Sequence, residues 1–255
     1  MPRTRIRLAQ NFLTHPQDAH WIVDQAGVTR ADTVIEVGSG RGILTAALAS
    51  RVAHLTTYEI DPRLATAIER HYRDHPTVDC RQRDFLTAHP PHHPFAVVAN
   101  IPYNRTAAIV DWCLAARHLT TATLLTQWEY ANKRTGGYHR WTQLTISAWP
   151  RVEWRLLGRI RRTRFHPQPA TDSGLLHLHQ RATPLIPRAA LTDYHNTVHL
   201  GFSGVGGNIG ASLRRRHGSR AVTRACRDAE LAPTTVVGHI TPDQWIRLFR
   251  SLARL

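Results

Sequence analysis

Short apolar runs alternate with stretches of helical periodicity through the first half of the chain. Five of these runs predict strands, at Thr33–Val37, His54–Tyr58, Val78–Arg81, Phe95–Ala99 and Thr121–Thr126. Two intervening segments predict helices, Ile43–Ala49 and a helix from Pro62 towards Tyr72, where proline suits the first helical position. Strands that alternate with helices predict a parallel, doubly wound sheet and therefore an α/β fold.

The pattern changes after Trp128. A glycine-containing loop is predicted at Thr135–Tyr138, followed by two further strands, Val152–Ile160 and Leu175–His179. Beyond Pro184, helix breakers separate short helical patterns, among them Pro187, Gly204–Gly207, Gly218 and Pro233, and the last pattern runs from Pro242 to Leu252. We expect an α/β domain over residues 1–181 and a small α-helical domain over residues 182–255.

The net charge points to a polyanionic partner. The 255 residues include 33 basic and 18 acidic side chains, a net charge of +15, and 32 of the basic residues are arginine. Residues 181–255 alone carry 11 arginines and 4 acidic residues. Because neutralising phosphates releases condensed counterions, such a surplus favours binding to nucleic acid, with the carboxyl-terminal domain as its main footprint.

Several classes of protein are excluded by the sequence. The three cysteines, Cys80, Cys113 and Cys226, are widely separated and form no CxxC pair, which argues against a disulfide framework and a zinc site. The histidines form no HExxH motif, so we expect no metal. The basic segment Met1–Arg7 leads into no apolar signal core, and no run approaches the length of a membrane span. We expect a cytoplasmic protein without a membrane association.

A glycine-rich turn lies directly between a predicted strand and a predicted helix. In Glu36–Gly42, glycines alternate with other residues, so the spacing is GxGxG and differs from the GxGxxG of dinucleotide sites. Glycine lets the backbone approach a ligand closely and adopt φ values that a Cβ disfavours. A tight turn that serves only the fold is the alternative.

Two acidic residues follow the next two strands. Glu59 lies 21 positions beyond Gly38, near the offset at which a carboxylate accepts the hydroxyls of a ribose. Asp84 is placed to accept hydrogens from an adenine amine, with Ile60 or Phe85 packing on the ring. Taken singly, both acids are also common as helix caps. Together with the glycines, they predict a nucleoside site without a long phosphate tail.

The tetrapeptide Asn100–Tyr103 follows the strand Phe95–Ala99, at the sheet edge where open α/β proteins bind ligands. An amide oxygen can accept hydrogens from an exocyclic amine, and a tyrosine ring can stack on a base. We expect Asn100 and a main-chain carbonyl at Ile101 or Pro102 to hold the amine, with Tyr103 against the base. The alternative is a strand-ending turn in which Pro102 fixes φ.

An ordered set of motifs covers nearly the whole chain. It resembles the rRNA adenine N6-methyltransferases, both the erythromycin-resistance (Erm) branch acting on large-subunit rRNA and the housekeeping small-subunit dimethylases. The motifs are Gln10–Leu13, Glu36–Gly42, Tyr58–Asp61, Asp84, Asn100–Tyr103, Gln127–Ala131 and Phe165–Pro169, followed by a short basic helical domain.

The resemblance implies a Rossmann-like methyltransferase sheet and S-adenosylmethionine as cofactor. It also implies that Phe165 forms a second aromatic wall beside the target base, although the residue alone could as easily belong to the core. The expected cofactor contacts are Asn11, Leu13, Gly38, Gly40, Glu59, Ile60, Asp84, Phe85 and Asn100.

The compact basic domain and the tetrapeptide sequence Asn-Ile-Pro-Tyr favour the Erm branch. We therefore expect a monomeric enzyme that methylates an adenine of protein-free 23S rRNA and confers macrolide, lincosamide and streptogramin B resistance. A 16S rRNA dimethylase, a DNA adenine methyltransferase and a non-catalytic RNA-binding relative are the alternatives.

Overall fold

The computed structural model describes residues 10–204 and 207–255 of the chain. The basic amino-terminal segment Met1–Arg7, and residues 205 and 206 of the glycine-rich breaker, lie outside these ranges. No helix in the described part of the chain is both long enough and apolar enough to span a bilayer.

Seven strands form one mixed sheet in the order β4-β3-β2-β5-β6-β9-β7. The first five run parallel, as predicted, whereas β9 is antiparallel to β6, with Leu125 opposite Leu175. A separate two-stranded pair, β1 with β8, places Leu13 opposite Phe165. The strands are β1 (Phe12–Leu13), β2 (Thr33–Val37), β3 (His54–Glu59), β4 (Val78–Gln82), β5 (Phe95–Asn100), β6 (Leu119–Gln127), β7 (Val152–Ile160), β8 (Phe165–His166) and β9 (Ser173–Gln180).

Six α-helices precede β7 along the described chain, and the second, third and fourth of them each connect two parallel strands. They are α1 (Pro16–Ala26), α2 (Ile43–Ala49), α3 (Pro62–Tyr72), α4 (Thr106–Ala115), α5 (Trp128–Arg134) and α6 (Gln143–Ala148). The later helices are α7 (Leu191–Phe202), α8 (Ile209–Leu213), α9 (Ser219–Asp228) and α10 (Pro242–Ala253).

Helices cover both faces of the sheet because β5 is apolar on both. Ala96 and Val98 belong to a buried cluster with Ile22 of α1 and Leu48 of α2. Phe95, which alternates with them, meets the Trp112 ring of α4, with ring centroids 6.0 Å apart. Residues one apart on a strand face opposite sides, so the sheet is doubly wound and Rossmann-like, as the sequence predicts.

The chain divides into two compact units, residues 1–131 with 155–179, and residues 132–154 with 180–255. The second unit has its own core, in which Ile146 of α6 packs with Tyr194, Trp245 and Phe249. The sequence analysis assigned residues 132–154 to the first domain. They cluster with the helical unit because α6 contributes apolar side chains to this second core.

Candidate active site

A cavity of about 240 Å³ lies in the first unit, where β2, β3 and β5 end. The carboxyl ends of parallel strands meet at one edge of a sheet, so each following loop contributes to the same crevice. All nine predicted cofactor contacts line this cavity, together with Ile101 and Pro102. The predicted residues lining the cavity are Asn11, Leu13, Gly38, Gly40, Glu59, Ile60, Asp84, Phe85, Asn100, Ile101 and Pro102.

The glycine turn requires glycine at the positions that face the cavity. Gly38 and Gly40 have φ values of 77° and 54°, in the left-handed region that side chains with a Cβ rarely adopt. A Cβ on Gly40 would also lie 2.9 Å from Cδ1 of Phe12. The Gly38 N–H donates to the Tyr58 carbonyl over 2.8 Å, which ties the turn to the end of β3.

The buried carboxylate of Glu59 is held by main-chain donors. Its Oε2 accepts from the Gly40 N–H at 2.8 Å, and its Oε1 accepts from the N–H groups of Ile60 and Asp61 at 2.9 Å. A carboxylate offers about four acceptor positions, so one remains open, on Oε2. The glycine turn and Glu59 therefore form one hydrogen-bonded unit.

Asp84 is both a cap and an ion-pair partner. Its Oδ1 accepts from the Leu86 N–H at 3.0 Å, at the start of the short turn Phe85–Thr87. Its Oδ2 accepts from Nη2 of Arg105 at 3.2 Å, and the guanidinium also lines the cavity. The helix-cap alternative for Asp84 is thus correct locally and compatible with a place in the cavity wall.

Apolar groups line the cavity beside these acids. Ile60 is 48% exposed although it is a large aliphatic residue, because its side chain borders the open cavity. Phe85 is buried, and its ring packs edge-on against Tyr58 with centroids 5.6 Å apart and at a tilt against Trp112 with centroids 4.4 Å apart. Flat apolar ligands have surfaces to contact on this side.

The Asn100 side chain is fixed by a contact with the amino-terminal segment. Its Nδ2 donates to the Asn11 carbonyl at 2.8 Å, which leaves its Oδ1 as an acceptor beside the cavity. The Pro102 carbonyl already accepts from the Arg105 N–H at 2.9 Å. Within residues 10–204 and 207–255, no hydrogen bond reaches the Ile101 carbonyl.

Two predicted aromatic residues do not line this cavity. Tyr103 is half-buried, and its hydroxyl lies 2.6 Å from Oγ of Ser173 at the start of β9. Burial raises the pKa of this phenol. Phe165 is 4% exposed and belongs to the buried cluster that includes Leu13 and Val34.

Glu36 is a buried carboxyl group that sequence analysis did not single out. Its Oε2 accepts from the hydroxyls of Thr45 at 2.7 Å and Thr57 at 2.8 Å, whereas Oε1 has no partner within the described residues. Burial raises its pKa to about 7. The signal that could have identified it is an acid between the apolar residues Ile35 and Val37, in a strand that leads into a glycine turn.

Comparisons with known proteins agree over nearly the full chain. The sequence profile of the family described as Ribosomal RNA adenine dimethylase matches residues 1–254. A Streptomyces fradiae protein named rRNA adenine N-6-methyltransferase is 50% identical over 252 residues, 98% of this chain and 79% of the relative. The mycinamicin-resistance protein MyrB of Micromonospora griseorubida is 33% identical over 96% of this chain and 78% of its own length.

A solved structure agrees with the sequence matches. The crystal structure of the 23S rRNA methyltransferase ErmE superposes with a TM-score of 0.92 at 45% identity, covering 95% of this chain and 100% of that chain.

Proposed function

The chain belongs to the ribosomal RNA adenine dimethylase family, and we propose that it is an Erm-type enzyme that methylates N6 of an adenine in 23S rRNA. The methyl donor is S-adenosylmethionine, which supplies a methyl group made electrophilic by its sulfonium. The methylation takes place in the peptidyl-transferase region and gives resistance to macrolide, lincosamide and streptogramin B antibiotics. The 50% identity to an rRNA adenine N6-methyltransferase and the resistance function named for MyrB support this choice.

The cavity suits a nucleoside donor. Oε2 of Glu59 has one open acceptor position for a ribose hydroxyl, so this carboxylate takes one hydroxyl rather than the two expected from the sequence. Asp84 faces the same cavity with an acid that can accept from an adenine amine, and Ile60 offers apolar surface to the base. The glycine turn leaves open space at Gly38 for close approach of the ligand.

One observation carries the proposed chemistry: the Asn100 amide is oriented by its bond to the Asn11 carbonyl. With Nδ2 occupied, Oδ1 is the atom available to accept one hydrogen of the adenine amine. The Ile101 carbonyl is the better second acceptor, because the Pro102 carbonyl already accepts from Arg105. Two acceptors on the two amine hydrogens fix the direction of the nitrogen lone pair, and such orientation supplies a large part of the catalysis.

Tyr103 is assigned to stacking on the target base, with its hydroxyl anchored on Ser173. Phe165 packs in the core and pairs through β8 with β1, the strand that follows Asn11. In this proposal Phe165 supports the placement of Asn11, and its predicted contact with the base stays a prediction. The methylated amine is acidic enough to lose its proton to water, so no strong general base is needed.

The experiment compares Asn100→Ala with the wild type on protein-free 23S rRNA, using a tritium-labelled methyl donor and calorimetry of donor binding. We expect methyl transfer to fall by at least about a hundredfold while the donor still binds, since orientation effects reach this size. Primer extension on the wild-type product should give one new stop, which identifies the adenine. Unchanged turnover by Asn100→Ala would refute the proposed hydrogen bond between Asn100 and the adenine amine.

Immature small subunits serve as the competing substrate in the same assay. Methylation of the small subunit in place of 23S rRNA would assign the chain to the housekeeping function. Binding of RNA without transfer of label would instead support a non-catalytic relative.

A further inference from the structure

An exposed tyrosine stands out in the second unit. Tyr138 is 73% exposed, and it is the only aromatic residue among the large exposed apolar side chains of the described chain. Its hydroxyl and ring are not used by the cavity described above, which lies in the first unit. A single exposed apolar residue is ordinary, so the meaning of Tyr138 depends on how it is presented.

The backbone at Tyr138 adopts an unfavourable conformation. Tyr138 and His139 have φ values of 59° and 53°, in the left-handed region that costs an ordinary side chain free energy. Such conformations persist where the surrounding structure enforces them, and they cluster at functional sites. A turn selected only for stability would place glycine at this position.

The flanking residues clamp this turn from both sides. A Cβ on Gly136 would overlap the Trp141 ring, and a Cβ on Gly137 would overlap the Asn132 side chain. The Trp141 N–H donates to the Gly238 carbonyl at 2.8 Å. The residues next to Tyr138 are therefore closely packed, whereas the Tyr138 ring itself is exposed to solvent.

Basic residues lie close to Tyr138 along the chain. Lys133, the single lysine of the chain, follows Asn132, and Asn132 packs on the glycine that precedes Tyr138. Arg140 follows two residues later, and both basic side chains are exposed. His239 adds a ring nitrogen that lies 3.1 Å from the His139 carbonyl. We call Lys133, Tyr138, Arg140 and His239 the Tyr138 surface.

We propose that the Tyr138 surface binds an unpaired nucleotide of the RNA substrate, with the Tyr138 ring stacked on the base and Lys133 and Arg140 on the neighbouring phosphates. This inference rests on the proposed function for the identity of the polyanion. An exposed ring in a closely packed turn, flanked in the sequence by two exposed basic residues, suits a single-stranded nucleotide, because stacking accepts any base and cations bind the backbone. A protein partner would instead need a broader apolar area than one ring provides.

The test uses the full-length chain with protein-free 23S rRNA, filter binding, and initial rates of methyl transfer. Tyr138→Ala and Tyr138→Gly should weaken RNA binding about tenfold and raise KM for RNA with little change in kcat, whereas Tyr138→Phe and Tyr138→Trp should stay within about twofold. Tyr138→Gly should also raise the melting temperature, because glycine relieves the backbone strain. A gain in stability with a loss of RNA binding is a result that a purely structural role cannot produce.

Salt dependence separates the two parts of the surface. Lys133→Ala and Arg140→Ala should each reduce the slope of log K against log salt by about one, while Tyr138→Ala leaves the slope unchanged. Calorimetry of the methyl donor should give the wild-type affinity for all variants. Wild-type RNA affinity in both Tyr138→Ala and Tyr138→Gly would overturn the inference, as would a parallel loss of donor affinity. If the wild type bound RNA but transferred no methyl group, the proposed function would be wrong. The RNA affinities of the Tyr138 variants and the wild type could still be compared, so the inference about Tyr138 would still be tested.

Discussion

Glu36 carries a buried carboxyl group near the end of β2, two residues before Gly38, the first glycine of the turn. Desolvation by burial raises its pKa from 4.5 to about 7, and the charge of Glu59 acts in the same direction, while hydrogen bonds from Thr45 and Thr57 oppose the shift. Because the folded state has the higher pKa, it binds more protons than the unfolded state between these values. The contribution of Glu36 to the free energy of unfolding is therefore greatest below about pH 4.5 and is lost as the pH rises through 7.

We predict that Glu36→Gln removes this pH dependence. The amide keeps an oxygen that can accept from Thr45 and Thr57 but carries no charge. The difference in unfolding free energy between variant and wild type should shift in favour of the variant by up to about 3 kcal/mol from pH 5 to pH 8. Urea unfolding of both proteins at pH 5 and at pH 8 measures this difference. A constant difference would show that Glu36 titrates normally.

Tyr103 joins two functions in one side chain, a ring assigned to the base and a hydroxyl bonded to Ser173. Tyr103→Phe should retain most of the methyl transfer, because stacking needs only the ring. It should lower the unfolding free energy by about 1 kcal/mol, since a partly buried hydrogen bond is lost. Tyr103→Ala should lose transfer as well. Steady-state kinetics and urea unfolding of both variants check this, and equal kinetic loss in both would assign the catalytic effect to the hydroxyl.

The turn between β2 and α2 depends on glycine more strongly than the turn that follows α1. Gly40→Ala combines a φ of 54° with a contact of 2.9 Å to Phe12, whereas Gly27→Ala has a φ of 68° and open space around the new Cβ. Both variants should lose about 1–2 kcal/mol through the left-handed backbone. Only Gly40→Ala should also weaken binding of the methyl donor, by about tenfold or more, as measured by calorimetry. Equal donor affinity in the two variants would contradict a role for this turn in the cavity.

Local signals in the sequence were sufficient for most elements near the cavity. The predicted strands Thr33–Val37 and Val152–Ile160 and the helix Ile43–Ala49 agree with the structure, because apolar pattern and glycine or proline at the ends determine them locally. Helix α1 was not predicted, although proline at its start and Gly27 in the left-handed region after its end are typical helix boundaries. The antiparallel direction of β9 has no local signal, because a strand pattern reads the same in both directions.

Contacts between distant segments could not be predicted from the pattern. The bond from Asn100 to the Asn11 carbonyl joins residues 89 positions apart, and it decides which atom of the amide is left to accept. Leu13 pairs with Phe165, whose ring lies in the core, and the sequence alone could not decide between this position and one beside the base. Residue types at strand ends predicted the cavity, whereas its hydrogen-bond directions required the folded chain.

At the scale of the whole molecule, the positive charge is divided unequally between the two units. Residues 132–154 and 180–255 carry 15 basic and 5 acidic side chains, a net charge of +10, while the first unit carries the remaining +5. The smaller unit therefore has the stronger field for a polyanion. This division is sharper than the one expected for residues 182–255, because residues 132–154 add Lys133, Arg134, Arg140 and Arg151 and only one acid.

Removal of the tail is a poor test of this asymmetry. A cut near residue 182 would leave α6 without its core partners, since Ile146 packs with Tyr194 and Trp245. Exposure of those apolar groups would destabilise the remaining chain by several kcal/mol. Loss of activity would then report unfolding rather than RNA binding. Charge reversal at exposed positions of the intact chain avoids this problem.

Arg215 and Arg216 are exposed and follow the short helix α8 in the second unit. We predict that the double variant Arg215→Glu, Arg216→Glu weakens binding of protein-free 23S rRNA by about tenfold or more and lowers the salt slope by about two. The matched control reverses Arg70 and Arg73, exposed residues at the end of α3 in the first unit, and should change RNA binding less. Filter binding over a salt series measures both, with donor affinity unchanged in each. Equal losses of RNA affinity in the two double variants would show that binding depends only on the net charge of the chain. The basic unit would then have no special part in binding.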